Sequence, residues 1–410
     1  MSRITGAWKR SLRPVFVSAF RRLPGCGCPV PRGHSTVAEM VATGRATLLP
    51  IRDEPRRRLP PHGVSGDLAA ADRVRSSLTR ATARESFDRF LRGDVVQPAS
   101  GSFTAVLPGG GVTHCSGVVT HAGAVLEEVS GLGFSDTVPT NPLRLTHLPR
   151  AHTPPVTVAV LSTGAHYNYY HWLSEALPRL ELYERCGVPI DRFYVPTRYR
   201  FQRESLALLG IPADRILRAR PGAHYRPACL VASSFRNGMT RAKVDFLHER
   251  LTVAIPTRGF ARRRIFVSRR GRGARRIVNE PQVVAALAPL GFEPLHLESL
   301  SLAAQIAAFR DAECVVGPHG AGLTNLAFCG RGTRVVEIGT PYRSWTCFRE
   351  IAHHRGLDYH LHLASPAHVR HFDPATGVGD SDLRVDPGGL AAVVQDSLDR
   401  RFDTTRRMAG

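Results

Sequence analysis

The clearest pattern along the chain is an alternation, in its second half, of short apolar runs with segments of helical spacing. Residues 265–268, 293–297, 314–316, 334–338 and 359–363 read as brief buried strands. Between them, residues 279–290, 302–311, the stretch from Ala321 and residues 344–354 place apolar side chains at intervals of three and four. Asn279 stands as N-cap of the first of these helices, with Pro281 in its first turn, and Ser301 caps the second. Five strands alternating with four helices predict a parallel, doubly wound sheet. Ligands of such sheets sit beyond the carboxyl ends of the strands.

The first half is less regular. Residues 156–161 form a buried strand pattern, followed by a helix over 168–185 that Pro178 should kink. Residues 193–195, 216–217 and 229–232 read as further strands, and 202–209 and 243–251 as helices. Short β-type runs between 95 and 147 suggest a small antiparallel patch, and 70–91 begins the folded part as helix. The first 65 residues show no sustained periodicity and read as disordered or extended. Residues 366–387 look like a Gly/Asp loop before a terminal helix over 390–402 that packs back. The expected division is a basic segment 1–69, an acceptor-side α/β domain 70–255, a nucleotide-binding domain 256–365 and a tail 366–410.

Charge adds a constraint. The 410 residues include 55 Lys+Arg against 34 Asp+Glu, a formal net charge of +21. Almost all of the excess is arginine, since Lys9 and Lys243 are the only lysines. The first 80 residues hold 15 basic and 5 acidic side chains. Such a surplus points to an anionic partner: nucleic acid, an anionic membrane surface or a phosphorylated ligand. Nucleic-acid binding is the rival reading, but the basic stretch lacks interleaved aromatics and any recognised reading motif. The eight cysteines are scattered, and Cys26 with Cys28 finds no second close pair to complete a zinc site. Cys314 reads as a reduced core thiol, which implies a reducing compartment. No apolar run reaches membrane-spanning length, and residues 15–20 are too few for a secretory core. The expectation is a soluble cytoplasmic protein with a peripheral membrane contact through its basic N-terminus.

Candidate chemistry gathers at three places. Residues 315–328, V-V-G-P-H-G-A-G-L-T-N-L-A-F, read as strand, glycine turn and helix start, an arrangement that aims backbone N–H groups at an anion. Residues 258–276 contain nine arginines and no carboxylate. Arg269, Arg270, Arg272, Arg275 and Arg276 follow the first strand at the same sheet edge and suit a diphosphate clamp. His319 lies in the turn, either as a donor to phosphate or as a turn residue. Glu337 ends the fourth strand, either accepting ribose hydroxyls or pairing with an arginine. In the first half, His171 and Glu175 stand four apart on one helix face and suit proton abstraction from a hydroxyl, with His166 competing for that role. Asp380 and Asp382 have acidic spacing but sit in a Gly-rich loop and read as solvated, so no metal is expected.

Residues 169–180, Val267-Ser268-Arg269 with Arg276 and Asn279-Glu280, Gln305, residues 317–328 and Val336-Glu337-Ile338 together resemble glycosyltransferase family 61, over about residues 156–363. The resemblance implies a GT-B fold, two Rossmann-like α/β domains facing a cleft. It implies inverting, metal-independent transfer from a nucleotide sugar, with no cofactor beyond that co-substrate. The donor-binding set becomes Arg269, Arg276, Asn279, His319, Gly320, Ala321, Gly322, Asn325 and Glu337. The base, with His171, His166 and Glu175 as candidates, rests on the residues alone. A glycan or lipid-linked acceptor in polysaccharide synthesis fits the family.

Overall fold

The computed structural model describes residues 31, 33–55, 57–92, 95–97, 100–130, 148–234, 238–256, 262–271, 274–342 and 345–400. The chain divides into two compact units, residues 1–54 with 100–237 and residues 55–99 with 238–410. The break near 255 expected from the sequence therefore falls at 237, and residues 55–99 belong to the second unit.

That second unit is built on six parallel strands. Their order is Phe292–Leu295, Arg263–Val267, Ala312–Pro318, Arg334–Gly339, Asp358–Leu363 and Gly63–Gly66. The five runs read as strands are all present. Phe266, Val316, Val336 and Ile338 pack with Val283 and Leu287 of the Glu280–Leu287 helix and with Leu390 and Val394 of the Pro387–Asp399 helix. Burial of such side chains at about 25 cal/mol per Å² supplies the driving force for this layer.

The sixth strand corrects the reading of the N-terminal segment as disordered or extended where it is described; residues 1–30 lie outside the described residues. Gly33–Ser35, Val37–Ala42, Thr47–Glu54, Arg57–Leu59 and Gly63–Gly66 are all regular elements. Their order derives from distant partners: Gly63–Gly66 lies on Asp358–Leu363, and Thr47–Glu54 on Ser100–Pro108. Local pattern does not report such pairing. Gly66 ends its strand at φ 96°, where a side chain would strike the Leu363 backbone. Helices Leu68–Ser77 and Ala81–Leu91 cover this edge, burying Ala71, Val74, Phe87 and Phe90 against Leu361 and Leu363.

A second correction concerns residues 366–387, which form a two-stranded antiparallel hairpin, Ser365–Asp373 with Val378–Arg384, instead of a loop. Its buried positions include Ser381 and Asp382, polar residues that mask a strand in any hydrophobicity pattern.

The first unit holds a mixed sheet. Ile216–Arg218, Arg192–Val195, Thr157–Val160 and Cys229–Ser233 run parallel, and Ser100–Pro108 and Thr47–Glu54 extend it antiparallel. The expected small β patch is part of a second sheet, through Gly111–Thr113, Val118–His121 and Ala124–Leu126. Six cysteines among the described residues are free, and Cys26 and Cys28 lie outside them. Among the described residues no helix is long and apolar enough to cross a membrane.

Candidate active site

In the second unit the Ala312–Pro318 strand delivers its turn to the carboxyl edge of the sheet. Three glycines there answer three close approaches. A Cβ on Gly317 would meet Val267 Cβ at 2.8 Å, and one on Gly322 would meet Leu297 Cδ1 at 2.7 Å. At Gly320 a Cβ would collide with the guanidinium of Arg269. Gly320 has φ 173°, which any residue adopts, so the position requires glycine for the arginine's sake and not for its backbone. The sequence placed Arg269 and this turn together, and the structure lays one across the other. Arg269 Nη2 also donates to the Ala274 carbonyl at 3.0 Å, and Arg275 Nε donates to the His319 carbonyl at 3.1 Å.

The helix that follows, Ala321–Phe328, is a 3₁₀ helix where an α-helix was expected, with Leu323 N donating to the Gly320 carbonyl at 2.9 Å. The amides of Ala321 and Gly322 open it and have no partner within it.

Parallel register sets Gly317 beside Glu337, so His319, just past the strand, reaches the same carboxylate. His319 Nδ1 lies 2.5 Å from Glu337 Oε1, and the Tyr359 hydroxyl donates to Glu337 Oε2 at 2.8 Å. Burial, reinforced by Glu337, pushes the Tyr359 hydroxyl well above its ordinary pKa and keeps it a donor. Glu337 is only 2% exposed with both oxygens engaged inside the protein. Glu337 was expected to accept ribose hydroxyls or to pair with an arginine; here its two oxygens meet His319 and Tyr359. Phe348 and Trp345 stand 4.8 and 5.9 Å from the His319 ring, centroid to centroid. Tyr359, Trp345 and Phe348 escaped the sequence reading because single aromatic residues carry no local signal.

Other expected donor ligands are engaged in the scaffold. Asn279 does not cap its helix by a side-chain hydrogen bond; its amide donates to the Val385 carbonyl at 2.8 Å and its Oδ1 accepts from Val385 N at 3.1 Å. Asn325 is fully buried and donates to Gln305 Oε1 at 3.0 Å. Arg276 bonds Asp382 twice, through its backbone N at 2.9 Å and Nη2 at 3.1 Å, and Arg370 Nη2 adds a third bond at 2.8 Å. Asp382, expected to be solvated, is completely buried. It is an anchor for the arginine segment, with Asp380 3.8 Å from Arg275 alongside.

Burial alone would raise the Asp382 carboxyl, but the hydrogen bonds from Arg370 and Arg276 outweigh it and hold the pKa at about 2. A folded-state value below the unfolded one stabilises the protein above about pH 4, and that stabilisation is lost as pH falls through about 2. The shift corresponds to about 2 kcal/mol. Asp382→Asn is expected to lower stability at pH 7 by about this amount. The gap from the unsubstituted protein should close between pH 4 and 2, as read by denaturant titration across that range.

In the first unit, Tyr169–His171 opens a helix that passes through a π turn, Trp172–Ala176, before Arg179–Arg185. The Leu177 amide donates to the Trp172 carbonyl five residues back, one position ahead of Pro178, whose missing N–H breaks the regular ladder. His171 Nδ1 lies 2.7 Å from Glu175 Oε1, with side-chain exposures of 20% and 5%. The buried carboxylate accepts a hydrogen bond from Nδ1–H, which leaves the lone pair of the neutral ring on Nε2. Thr163 Oγ1 is 3.5 Å from the other Glu175 oxygen, and the Thr163 carbonyl accepts from His166 Nδ1 at 3.1 Å. His166 is more deeply buried, and burial lowers its pKa despite that hydrogen bond, weakening it as a base.

The two units thus each carry a histidine held at Nδ1 by a glutamate, and the second adds an arginine over a glycine turn at a parallel sheet edge. That combination defines a class of α/β protein equipped for proton transfer and anion binding. Residues 169–336 match the family described as Glycosyltransferase 61. The chain is 37% identical over 70 residues to a beta-1,2-xylosyltransferase of Arabidopsis thaliana, covering 17% of this chain and 13% of the relative. It is 26% identical over 133 residues to an EGF domain-specific O-linked N-acetylglucosamine transferase of Drosophila melanogaster, covering 32% of this chain and 25% of the relative. The chain therefore spans a quarter or less of the length of these relatives.

Proposed function

We propose that the protein is a glycosyltransferase of GT-B type that moves a sugar, with inversion, from a nucleoside diphosphate sugar to a hydroxyl of a glycan or lipid-linked acceptor. The observation that carries this reading is the Arg269 guanidinium seated on Gly320 within a glycosyltransferase 61 segment. His171 Nε2 takes the acceptor hydroxyl proton, and Glu175 steadies the imidazolium. The new C–O bond forms at the anomeric carbon as the bond to the diphosphate breaks, and a single displacement inverts that centre. Arg269 and the opening amides of the 3₁₀ helix meet the negative charge that gathers on the departing nucleoside diphosphate. His319, set by Glu337, presents Nε2 to the same anion. Polysaccharide synthesis in the cytoplasm, at an anionic membrane surface that attracts the basic N-terminus, suits the charge distribution.

Because fixed cations neutralise the diphosphate, transfer is expected to proceed undiminished in EDTA. The test is release of nucleoside diphosphate from a panel of nucleotide sugars, with and without chelator. Turnover that vanishes in EDTA and returns with Mn²⁺ would assign charge stabilisation to a cation instead.

A further inference from the structure

A pocket of the second unit lies at the amino-terminal edge of its sheet, opposite the edge that carries the Arg269 turn. The Asp358–Leu363 and Gly63–Gly66 strands both begin at a cavity of about 330 Å³. His62, Arg349, His353, Asp358, His360 and Arg400 line it. Arg349 is 5% exposed, and its Nε donates to His62 Nδ1 at 2.5 Å. A guanidinium can only donate, so Nδ1 is the accepting nitrogen and the proton of the neutral ring sits on Nε2. That Nε2–H is buried and finds no acceptor among the described residues. A buried donor left this way costs about 1–3 kcal/mol. Burial, then the positive charge of Arg349 and the nearby His360, hold the ring pKa down at about 3, so the neutral form persists at pH 7.

The cavity thus offers an unmet N–H and two guanidinium side chains, with one carboxylate at its wall. We propose that it binds a small phosphate monoester, its phosphoryl oxygens accepting from His62 Nε2 and the arginines and its hydroxyl-bearing remainder donating to Asp358. A phosphoryl group suits the site because it carries three acceptor oxygens and no obligatory donor. The volume lies at the small end of the usual range for ligand pockets, roughly 300–1,000 Å³, and suits a sugar phosphate better than a whole nucleotide. Tyr359 lines the cavity and also serves Glu337, yet the ligand groups here are separate from those of the turn. The site stands whether or not the turn holds a diphosphate.

The experiment is calorimetric titration of the full chain, with melting curves alongside, using glucose 1-phosphate, glycerol 3-phosphate and inorganic phosphate. Glucose 1-phosphate is expected to bind and raise the melting temperature of the unsubstituted protein and of Arg269→Ala alike. His62→Ala should weaken it about tenfold, the loss of one buried hydrogen bond to a charged group. Arg400→Ala, at an exposed position that leaves the core untouched, should weaken it as well. Equal binding of inorganic phosphate would keep the site and reduce Asp358 to a bystander, revising the monoester preference. The proposal is overturned if none of the probes binds, or if binding survives both His62→Ala and Arg400→Ala and disappears with Arg269→Ala.

Discussion

Arg269→Ala is expected to lower kcat by roughly 10²–10³, the usual cost of removing one preorganised charge-stabilising donor. The reasoning is geometric. The guanidinium lies against Gly320, at the mouth of a 3₁₀ helix whose first amides face the same edge. Further negative charge gathers on the diphosphate in the transition state as its bond to the sugar breaks, so the loss should fall on kcat more than on KM. The fold should persist, because the side chain sits at the sheet edge and not in the core clusters. Gly320→Ala supplies the complementary check: it keeps the arginine in the sequence but displaces its guanidinium, and a comparable fall in kcat identifies position, not mere charge, as the requirement. Steady-state kinetics with melting curves on both variants decides the matter. Wild-type turnover in Arg269→Ala would remove the clamp from the mechanism.

His171→Ala should cost roughly 10²–10⁴ in kcat, the span ascribed to general base catalysis. Glu175→Gln should cost less, since the amide still bonds the ring but no longer stabilises the imidazolium. His166→Ala separates the two candidates. His166 is the more buried of the pair, its Nδ1 is spent on the Thr163 carbonyl, and burial lowers its basicity. Its replacement is therefore expected to perturb stability more than rate. The large loss of kcat should appear in His171→Ala and be absent from His166→Ala. The reverse pattern would hand the role of base to His166.

The parallel sheet of the second unit was legible because its five long strands are apolar runs bounded by good helix signals, Ser301 capping Leu302–Arg310 through Ala304 N among them. The Arg269 turn was legible because its glycines and arginines are local in sequence. The His171–Glu175 pair was equally plain, being four residues apart on one helix. The His319–Glu337–Tyr359 chain was hidden, since it joins three strands whose register no local pattern specifies. The bonds of Arg276, Asn279 and Asn325 were hidden for a related reason. These are polar residues near the expected site, but their bonds run to the Val378–Arg384 hairpin, to Val385 and to Gln305, and they hold the scaffold. The strand Gly63–Gly66 was invisible because two of its four residues are glycine.

That last strand has a topological effect. Ser65 and His362 share a hydrogen bond although 297 positions separate them. Much of the other unit's sequence is thus an insertion inside a loop of the second. Loop-closure entropy grows only with the logarithm of length, so so large an excursion adds little to the cost of closing it. During synthesis, however, the Asp358–Leu363 strand is the last of the sheet's six to emerge, and its seat beside Gly63–Gly66 stays open until nearly the whole polypeptide has been made.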